Sequence, residues 1–408
     1  MSGERHRAAP GPGPGGEDAR GASRAAGSVA RLSPTALARL RRLGPDGPDE
    51  MGRELAEGPD AVAATLLRVG DAGARLDVLL GPAERLILLG TGASLAVARS
   101  AAPVWRASWP SAAQRPAVLV RESAEAVFDA ADGECFRPGD LVFAISQSGV
   151  SPETLAAARL ADAAGARVVA VTAHEASPLA KLAAGAVVTP IGEERGAATK
   201  SELATLAALL ALADALPMAA AEIEALRTWL SAIADAWVDL AAPVGCLTAA
   251  RRLWIAGLGS TAGLAHAGSL LWHEKVHRQA VGVTISEFRH GPIEAAGPRD
   301  AVVVLVPPDG SPGLAAYLRL LDDELAQLGT PSVWLGALAP SRHALALTVP
   351  LPPPPTLSGL SSGTAASLLG ATLRLQQLAR GTAHAAGTYA DGFRVLRRIV
   401  RAAPLEFD

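Results

Sequence analysis

Long hydrophobic runs, paired cysteines and an excess of charge of one sign are all missing from this 408-residue chain. Each absence removes a class of protein. Half of the residues are hydrophobic, yet the apolar stretches are short or interrupted, as Asp214 interrupts 203–216. None reaches the roughly 20 residues a membrane helix needs. The two cysteines, Cys135 and Cys246, are far apart and match no metal or redox spacing, so free buried thiols in a reducing compartment are expected. A net charge of −3 without a basic run excludes a nucleic-acid footprint. The N-terminus also lacks the apolar stretch of a signal peptide, which points to the cytoplasm.

What the chain does contain is ample apolar material for two cores, arranged in an alternating pattern. Residues 1–31 are Gly, Pro, Ala, Arg and Ser with little to bury, which predicts a disordered arm. Over 32–75 the pattern is helical, with Leu55, Val62, Leu66 and Leu67 at the spacings of one buried face. Short apolar runs then alternate with amphipathic stretches. Strands are predicted at Arg85-Leu-Ile-Leu-Leu89, Ala117-Val-Leu-Val120, Leu141-Val-Phe-Ala-Ile145, 168–172 and 186–189. The pattern recurs at Leu253-Trp-Ile-Ala256, 301–306 and 332–335, and a long helix over about 357–380 closes it. Strand, helix, strand at this spacing reads as α/β: two flavodoxin-like three-layer units, each a parallel sheet flanked by helices. Their expected bounds are 76–218 and 241–384, joined by a helical linker over 219–240. A tail over 385–408, with Phe407 near its end, has little periodicity and is expected to pack across the other domain. Pro350 to Pro355 reads as a loop.

Ligands of such sheets bind beyond the carboxyl ends of the strands, and Gly/Ser-rich loops fall there. Ser146-Gln-Ser-Gly-Val-Ser-Pro-Glu-Thr154 places three hydroxyls and an amide where a strand passes into a helix, a setting that favours phosphate. The same residues also make a plain N-cap with Pro at the first helical position, and both readings can hold. The loop lacks the Gly-x-x-x-x-Gly-Lys form of a nucleotide loop, and Gly90-Thr-Gly-Ala-Ser94 is an incomplete dinucleotide fingerprint. Leu271-Trp-His-Glu-Lys-Val-His277 puts Glu274 on an apolar stretch expected to be helical, and His290 stands sixteen residues later before a Gly-Pro turn. One of this pair would act as base at carbon while the other serves a ring oxygen; the plain alternative is a salt-bridged helix residue and a loop histidine. His273 and His277 have an i,i+4 ligand spacing without an evident third ligand, and no metal is expected. Glu193-Glu-Arg-Gly-Ala-Ala-Thr-Lys-Ser201 offers Thr199 and Ser201 either as anion donors or as caps.

Met51-Gly-Arg-Glu-Leu-Ala-Glu-Gly-Pro59, Ser146-Gln-Ser-Gly149, Ala197-Ala-Thr-Lys200 and Glu287-Phe-Arg-His-Gly-Pro292 occur in order and at suitable distances. In this the chain resembles, over about 45–380, the isomerase half of glucosamine-6-phosphate synthase. It is similar also to the isomerase-type glucosamine-6-phosphate deaminases, the AgaS-type enzymes and the fructosamine-6-phosphate deglycases. The resemblance implies two SIS (sugar isomerase) domains, homodimerisation with the active site at the subunit interface, and a bound sugar phosphate. It places Gly92, Ser94, Ser146, Gln147, Ser148, Ser151, Ala198 and Thr199 at substrate- and phosphate-binding positions, with Ala198 where relatives often have serine. Glu274 falls on the carboxylate that moves a proton between C1 and C2, and His290 on the histidine that opens the ring, contributed across the dimer.

The departures narrow the chemistry. Leu271 stands where the synthase and many deaminases have a lysine three positions before the glutamate. Lys275 is expected to point elsewhere. The end of the chain lacks the synthase-like Schiff-base lysine, and the N-terminal arm offers no glutaminase domain. The resemblance therefore implies an isomerising deaminase or deglycase that needs no cofactor and does not use glutamine. The alternatives are an aldose–ketose isomerase and a non-catalytic sugar-phosphate sensor. A sensor should have lost Glu274 or His290, and both are present.

Overall fold

A computed structural model of the chain describes residues 32–41, 43, 49–71, 83–108, 116–130, 135–214, 218–237, 240–308, 310–336, 341, 343–358 and 363–393. The expected N-terminal arm and the last residues, Phe407 among them, lie outside these.

Apolar runs without polar alternation fit strands that are covered on both faces. Arg85–Gly90 (β1), Ala117–Glu122 (β2), Leu141–Ile145 (β3), Arg167–Thr172 (β4) and Gly185–Val188 (β5) form a parallel sheet in the order β2-β1-β3-β4-β5. Leu253–Gly257 (β6), Ala280–Thr284 (β7), Ala301–Leu305 (β8), Ser332–Leu335 (β9) and Ala346–Val349 (β10) form a second one, β10-β9-β8-β6-β7. Read from its other edge, the second order repeats the first. The sequence reading had passed over β7 and β10. Both are edge strands with mostly half-buried or exposed residues, so neither carries the continuous apolar run that marked the others.

The two sheets share one interior. Helices Ala93–Ser108 and Thr261–Leu271 pack against each other between them. Gly263 permits the approach, since a Cβ there would lie 2.3 Å from the Ala96 carbonyl oxygen. A continuous apolar core joins β1, β3, β6 and β8 to these helices, and smaller clusters line the outer face of each sheet. The N-terminal helical pattern resolves into Pro34–Arg41 and Glu50–Asp71. Leu55, Val62 and Leu66 of the predicted face are buried, but Leu67 is 49% exposed, because it lies one position beyond the stripe. The closing helix spans Thr364–Ala386, starting later than the expected 357.

That closing helix is buried along most of its length although it carries Arg374, Gln376, Gln377 and Arg380. Arg380 is 1% exposed and Asp49 6%. The Arg380 Nε donates to both Asp49 oxygens at 3.1 Å and a terminal nitrogen donates at 2.7 Å. His384 Nε2 lies 3.3 Å from the same carboxylate, which also caps the Glu50–Asp71 helix by accepting the Gly52 amide at 2.8 Å. Burial alone would raise the Asp49 pKa; His384 and Arg380 outweigh it and hold the carboxyl well below the usual range. Replacing Arg380 with Met strands a buried carboxylate, so a loss of about 3–5 kcal/mol is expected in urea unfolding. Most of this should return in the Asp49→Asn/Arg380→Met double variant, and a single variant as stable as the parent would rule the pairing out.

Candidate functional site

In the first sheet the chain leaves β1 and β3, which are neighbours, in opposite directions, and this opens a crevice beyond their carboxyl ends. The two loops singled out in the sequence meet there. Ser94 and Ser146 are buried, while Gly92, Gln147, Ser148 and Ser151 are half-buried. Ser146 Oγ accepts the Gly149 amide at 3.1 Å and lies 3.0 Å from Ser151 Oγ. Gly149 turns the loop at φ +64°, and a Cβ there would collide with Ser177 at 2.2 Å, so no other residue closes this turn. The capping expectation is corrected in one respect. Ser151 does occupy the N-cap of helix Pro152–Ala163, with Pro152 following, but its side chain makes no cap bond. Its hydroxyl faces Ser146 instead, and the helix end keeps donors for an anion. Gln147 Nε2 is likewise a buried donor without a partner.

Beside this crevice runs the 189–199 loop. Ala198 is half-buried, but Thr199 is wholly buried and does not cap the Lys200–Asp214 helix. Its hydroxyl bonds to Glu54 at 2.7 Å and Glu194 at 3.1 Å. Ser201 bonds to Glu194 as well, through both its amide, at 2.9 Å, and its hydroxyl. These two residues therefore hold the loop in shape rather than offering donors to a ligand.

The segment that carries Glu274 approaches the same loop from the second unit, with the Lys275 ammonium next to Gly196. It lies not on a regular helix, as the apolar pattern suggested, but on a π-turn, Trp272–Val276, that ends helix Thr261–Leu271. His277 then takes a left-handed conformation at φ 55°, which is uncommon for a non-glycine residue and marks local strain. His273 Nε2 accepts the Ala280 amide at 3.2 Å, so with His277 off the helical path the i,i+4 ligand spacing is lost. Lys275 is buried and its ammonium donates to the carbonyls of Ala390 and Asp391 at 3.2 and 2.8 Å, close to Gly196. The described start of the C-terminal tail thus packs over the π-turn, with Tyr389 accepting the Met51 amide at 3.2 Å. Leu271 is buried in the core.

Burial pushes the Glu274 carboxyl up to about 7, and Lys275 opposes the shift. A second carboxyl that the sequence reading missed is close by. Glu202 is buried and pushed up to about 8 by desolvation, against a bond from Gln376; Glu194 and Glu274 add to the rise. Its signal was available, as an acid in the first turn of a helix whose other residues between Lys200 and Asp214 are Ala, Leu, Ser and Thr. Burial similarly raises both thiols: Cys246 goes to about 11, and Cys135 rises too.

His290 is exposed at the end of helix Ile285–Arg289, before Gly291. Among the described residues no hydrogen bond or ion pair joins it to Glu274. A cleft of about 470 Å3 lies in the second unit, and one of about 490 Å3 lies between that unit and the helix Ala93–Ser108. Both are lined mainly by apolar residues such as Pro307, Pro308 and Leu314.

The raised Glu274 pKa has a consequence for stability. In the unfolded chain this carboxyl titrates near 4.5, so between that value and about 7 the folded protein binds more protons. Stability from this group is therefore full at low pH and is lost as pH rises through the window. Glu274→Gln is expected to raise the melting temperature at pH 8 and to change it little at pH 4. A variant that melts like the parent at pH 8 would show that Glu274 is not desolvated.

Residues 79–215 match the SIS domain family. Over 191 residues the chain is 36% identical to an isomerizing glutamine–fructose-6-phosphate aminotransferase of Caulobacter vibrioides, a match covering 42% of this chain and 31% of that protein. The chain thus spans about a third of the length of the curated relatives it matches. A tagatose-6-phosphate ketose/aldose isomerase from Escherichia coli superposes with a TM-score of 0.70 at 21% identity, over 87% of this chain and 95% of that one. A glucosamine-6-phosphate deaminase from Thermotoga maritima superposes with a TM-score of 0.63 at 16% identity, over 85% and 98%. Residues 79–215 thus carry a match to the SIS domain, and the two parallel sheets have the fold of double-SIS structures.

Proposed function

We propose that this chain is an isomerising deaminase or deglycase acting on an amino-sugar or fructosamine phosphate. The observation that carries the reading is Glu274, a half-buried carboxyl pushed up to about 7 and held on a π-turn whose Lys275 lies against Gly196 of the 189–199 loop. A base at carbon works best when its pKa lies near the working pH. The phosphate docks on the Ser146–Ser151 loop, with Ser94 and the unpartnered Gln147 amide completing the donors. In the open-chain amino aldose, Glu274 takes the proton from C2 and the C1 oxygen gains one, giving an enolamine. Returning the proton to C1 leaves a C2 imine, and water converts this to the ketose with loss of the amine. In a fructosamine the same transfer runs from C1 to C2, and water cleaves the resulting aldimine.

Two features favour amine release without a lysine or a thiol. Leu271 leaves no ammonium one turn before Glu274, and Lys275 is held by the tail carbonyls. Cys135 and Cys246 are both buried with raised pKa values, unlike the thiolate that glutamine hydrolysis requires. His290, which is exposed, opens the ring in the site of a second copy. The active unit in this reading is a homodimer.

Incubation with glucosamine-6-phosphate, galactosamine-6-phosphate and a fructosamine-6-phosphate should release ammonia or amine from one of them, and Glu274→Gln should abolish it. Interconversion of an aldose and a ketose phosphate without amine loss would instead identify a plain isomerase. Binding without turnover would identify a sensor.

The shared site has its own test. Glu274→Gln and His290→Ala chains, each inactive alone, should recover about a quarter of parental activity when mixed and allowed to exchange subunits. No recovery despite verified exchange would place both residues in one subunit's site.

A further inference from the structure

The two units repeat their strand order and also the loops that leave it. Gly90 and Gly257 end β1 and β6, and a Cβ on either would strike the helix that follows, 2.9 Å from Ser94 Cβ and 2.2 Å from the Thr261 carbonyl oxygen. Two residues on, Gly92 and Gly259 turn the chain at φ +58° and +59°, each with open space where a side chain would stand. The loops after β3 and β8 match as well. Ser151-Pro152 and Ser311-Pro312 both put a serine at the N-cap and a proline at the start of the next helix. The second sheet thus has a crevice of the same build as the first, at the place where such sheets take ligands.

The chemistry of the two crevices differs. Where the first has Ser146-Gln147-Ser148 directly after its strand, the second has Val306-Pro307-Pro308, and a proline has no N–H to donate. The amides that open helix Thr261–Leu271 are occupied, since Thr261 and Ala262 donate to the Leu258 and Gly259 carbonyls at 3.2 Å each. Among the described residues no charged side chain lines either cleft. An anion entering here would lose its water without compensation. One polar group is left over. Ser260 lines the 490 Å3 cleft, is 8% exposed and makes no cap bond. Its hydroxyl has no hydrogen-bond partner among the described residues, whereas the adjacent Thr261 hydroxyl accepts the Leu258 amide at 2.9 Å and donates to the Leu305 carbonyl at 3.0 Å. A buried hydroxyl left in this way calls for a partner from outside the chain.

We propose that the cleft between the second unit and helix Ala93–Ser108 is a second ligand site, for a small neutral molecule with an apolar ring and one hydrogen-bonding group. Its volume of about 490 Å3 and its apolar lining with a single convergent hydroxyl suit such a molecule. The ring packs on the rigid faces of Pro307 and Pro308 and on Leu314, with Pro103, Val104 and Ala107 as the opposite wall. The polar group bonds to Ser260. Both helices that flank the cleft continue to the candidate site, one beginning at Ser94 and the other ending at the π-turn of Glu274. Occupancy of the cleft does not depend on the reaction proposed above.

A fluorine NMR titration of the full-length chain tests this, with 4-fluorophenol and 5-fluoroindole as neutral probes and 4-fluorobenzoate as the anionic control. At least one neutral probe should bind saturably with Kd below about 10 mM, and the benzoate about tenfold more weakly or not at all. Ser260→Ala should weaken the neutral probe about tenfold, as the loss of one buried hydrogen bond does. Leu314→Trp and Ala107→Trp fill the cleft from opposite walls, and each should abolish binding. Ala107 is exposed, so Ala107→Trp decides the matter even if Leu314→Trp does not fold. Failure of both neutral probes to saturate overturns the proposal. So does binding that persists in Ala107→Trp, that ignores Ser260→Ala, or that favours the benzoate.

Discussion

The structure depends on one buried helix that has to carry polar side chains through an apolar interior. Thr364–Ala386 passes both units, and four of its polar residues satisfy groups on other elements. Arg374 donates to the Ala236 carbonyl and Gln377 to those of Ile233 and Ala234. Gln376 takes Thr199 and Glu202, and Arg380 takes Asp49. These bonds supply partners to carbonyls and carboxyls in a dry core, where an unpaired one is costly. The helix thus fixes the linker, the 189–199 loop and the start of the N-terminal helix to one another. The candidate site sits where these three meet.

The same dryness that makes those bonds necessary sets the chemistry. Glu54, Glu194, Glu202 and Glu274 converge around the 189–199 loop and the π-turn, and the protein treats them in two ways. Glu54 and Glu194 accept two or more hydrogen bonds each from Arg195, Thr199 and Ser201. Glu202 has one neutral amide, and for Glu274 burial is the largest influence. Hydrogen-bond supply, rather than residue type, separates the two glutamates that hold the loop from Glu202 and Glu274.

Much of this was legible in the sequence, and the misses have physical causes. Continuous apolar runs gave the strands at β1, β3 and β8, because a strand covered on both faces leaves no room for polar alternation. The edge strands β7 and β10, half-exposed, had no such run. The Ser-Gln-Ser-Gly loop was readable because its residue types and its place after a strand are both local facts. The π-turn was not, since WHEKV over 272–276 has the composition of a helix and only its packing shows the extra residue. Thr199 was read as a donor to a ligand, yet its hydroxyl is spoken for by Glu54, which lies 145 positions earlier. No local pattern reports a partner that distant.

The two units have the same strand order but contribute opposite ends to the site. In the first, the loops after β1 and β3 and the one following β5 lie at the carboxyl edge of the sheet. In the second, the Thr261–Leu271 helix starts at the carboxyl end of β6 and runs back, so the π-turn that follows it lies at the amino edge, just before β7. The proximity of Lys275 to Gly196 shows that this amino edge meets the carboxyl edge of the first sheet. The second sheet's own crevice therefore opens at its opposite end, where Pro307, Pro308 and the Leu351–Pro354 segment line it. The repeated strand order thus brings a carboxyl on the π-turn of one unit to the carboxyl edge of the other, while the cleft at the second sheet's own carboxyl edge keeps a mainly apolar lining.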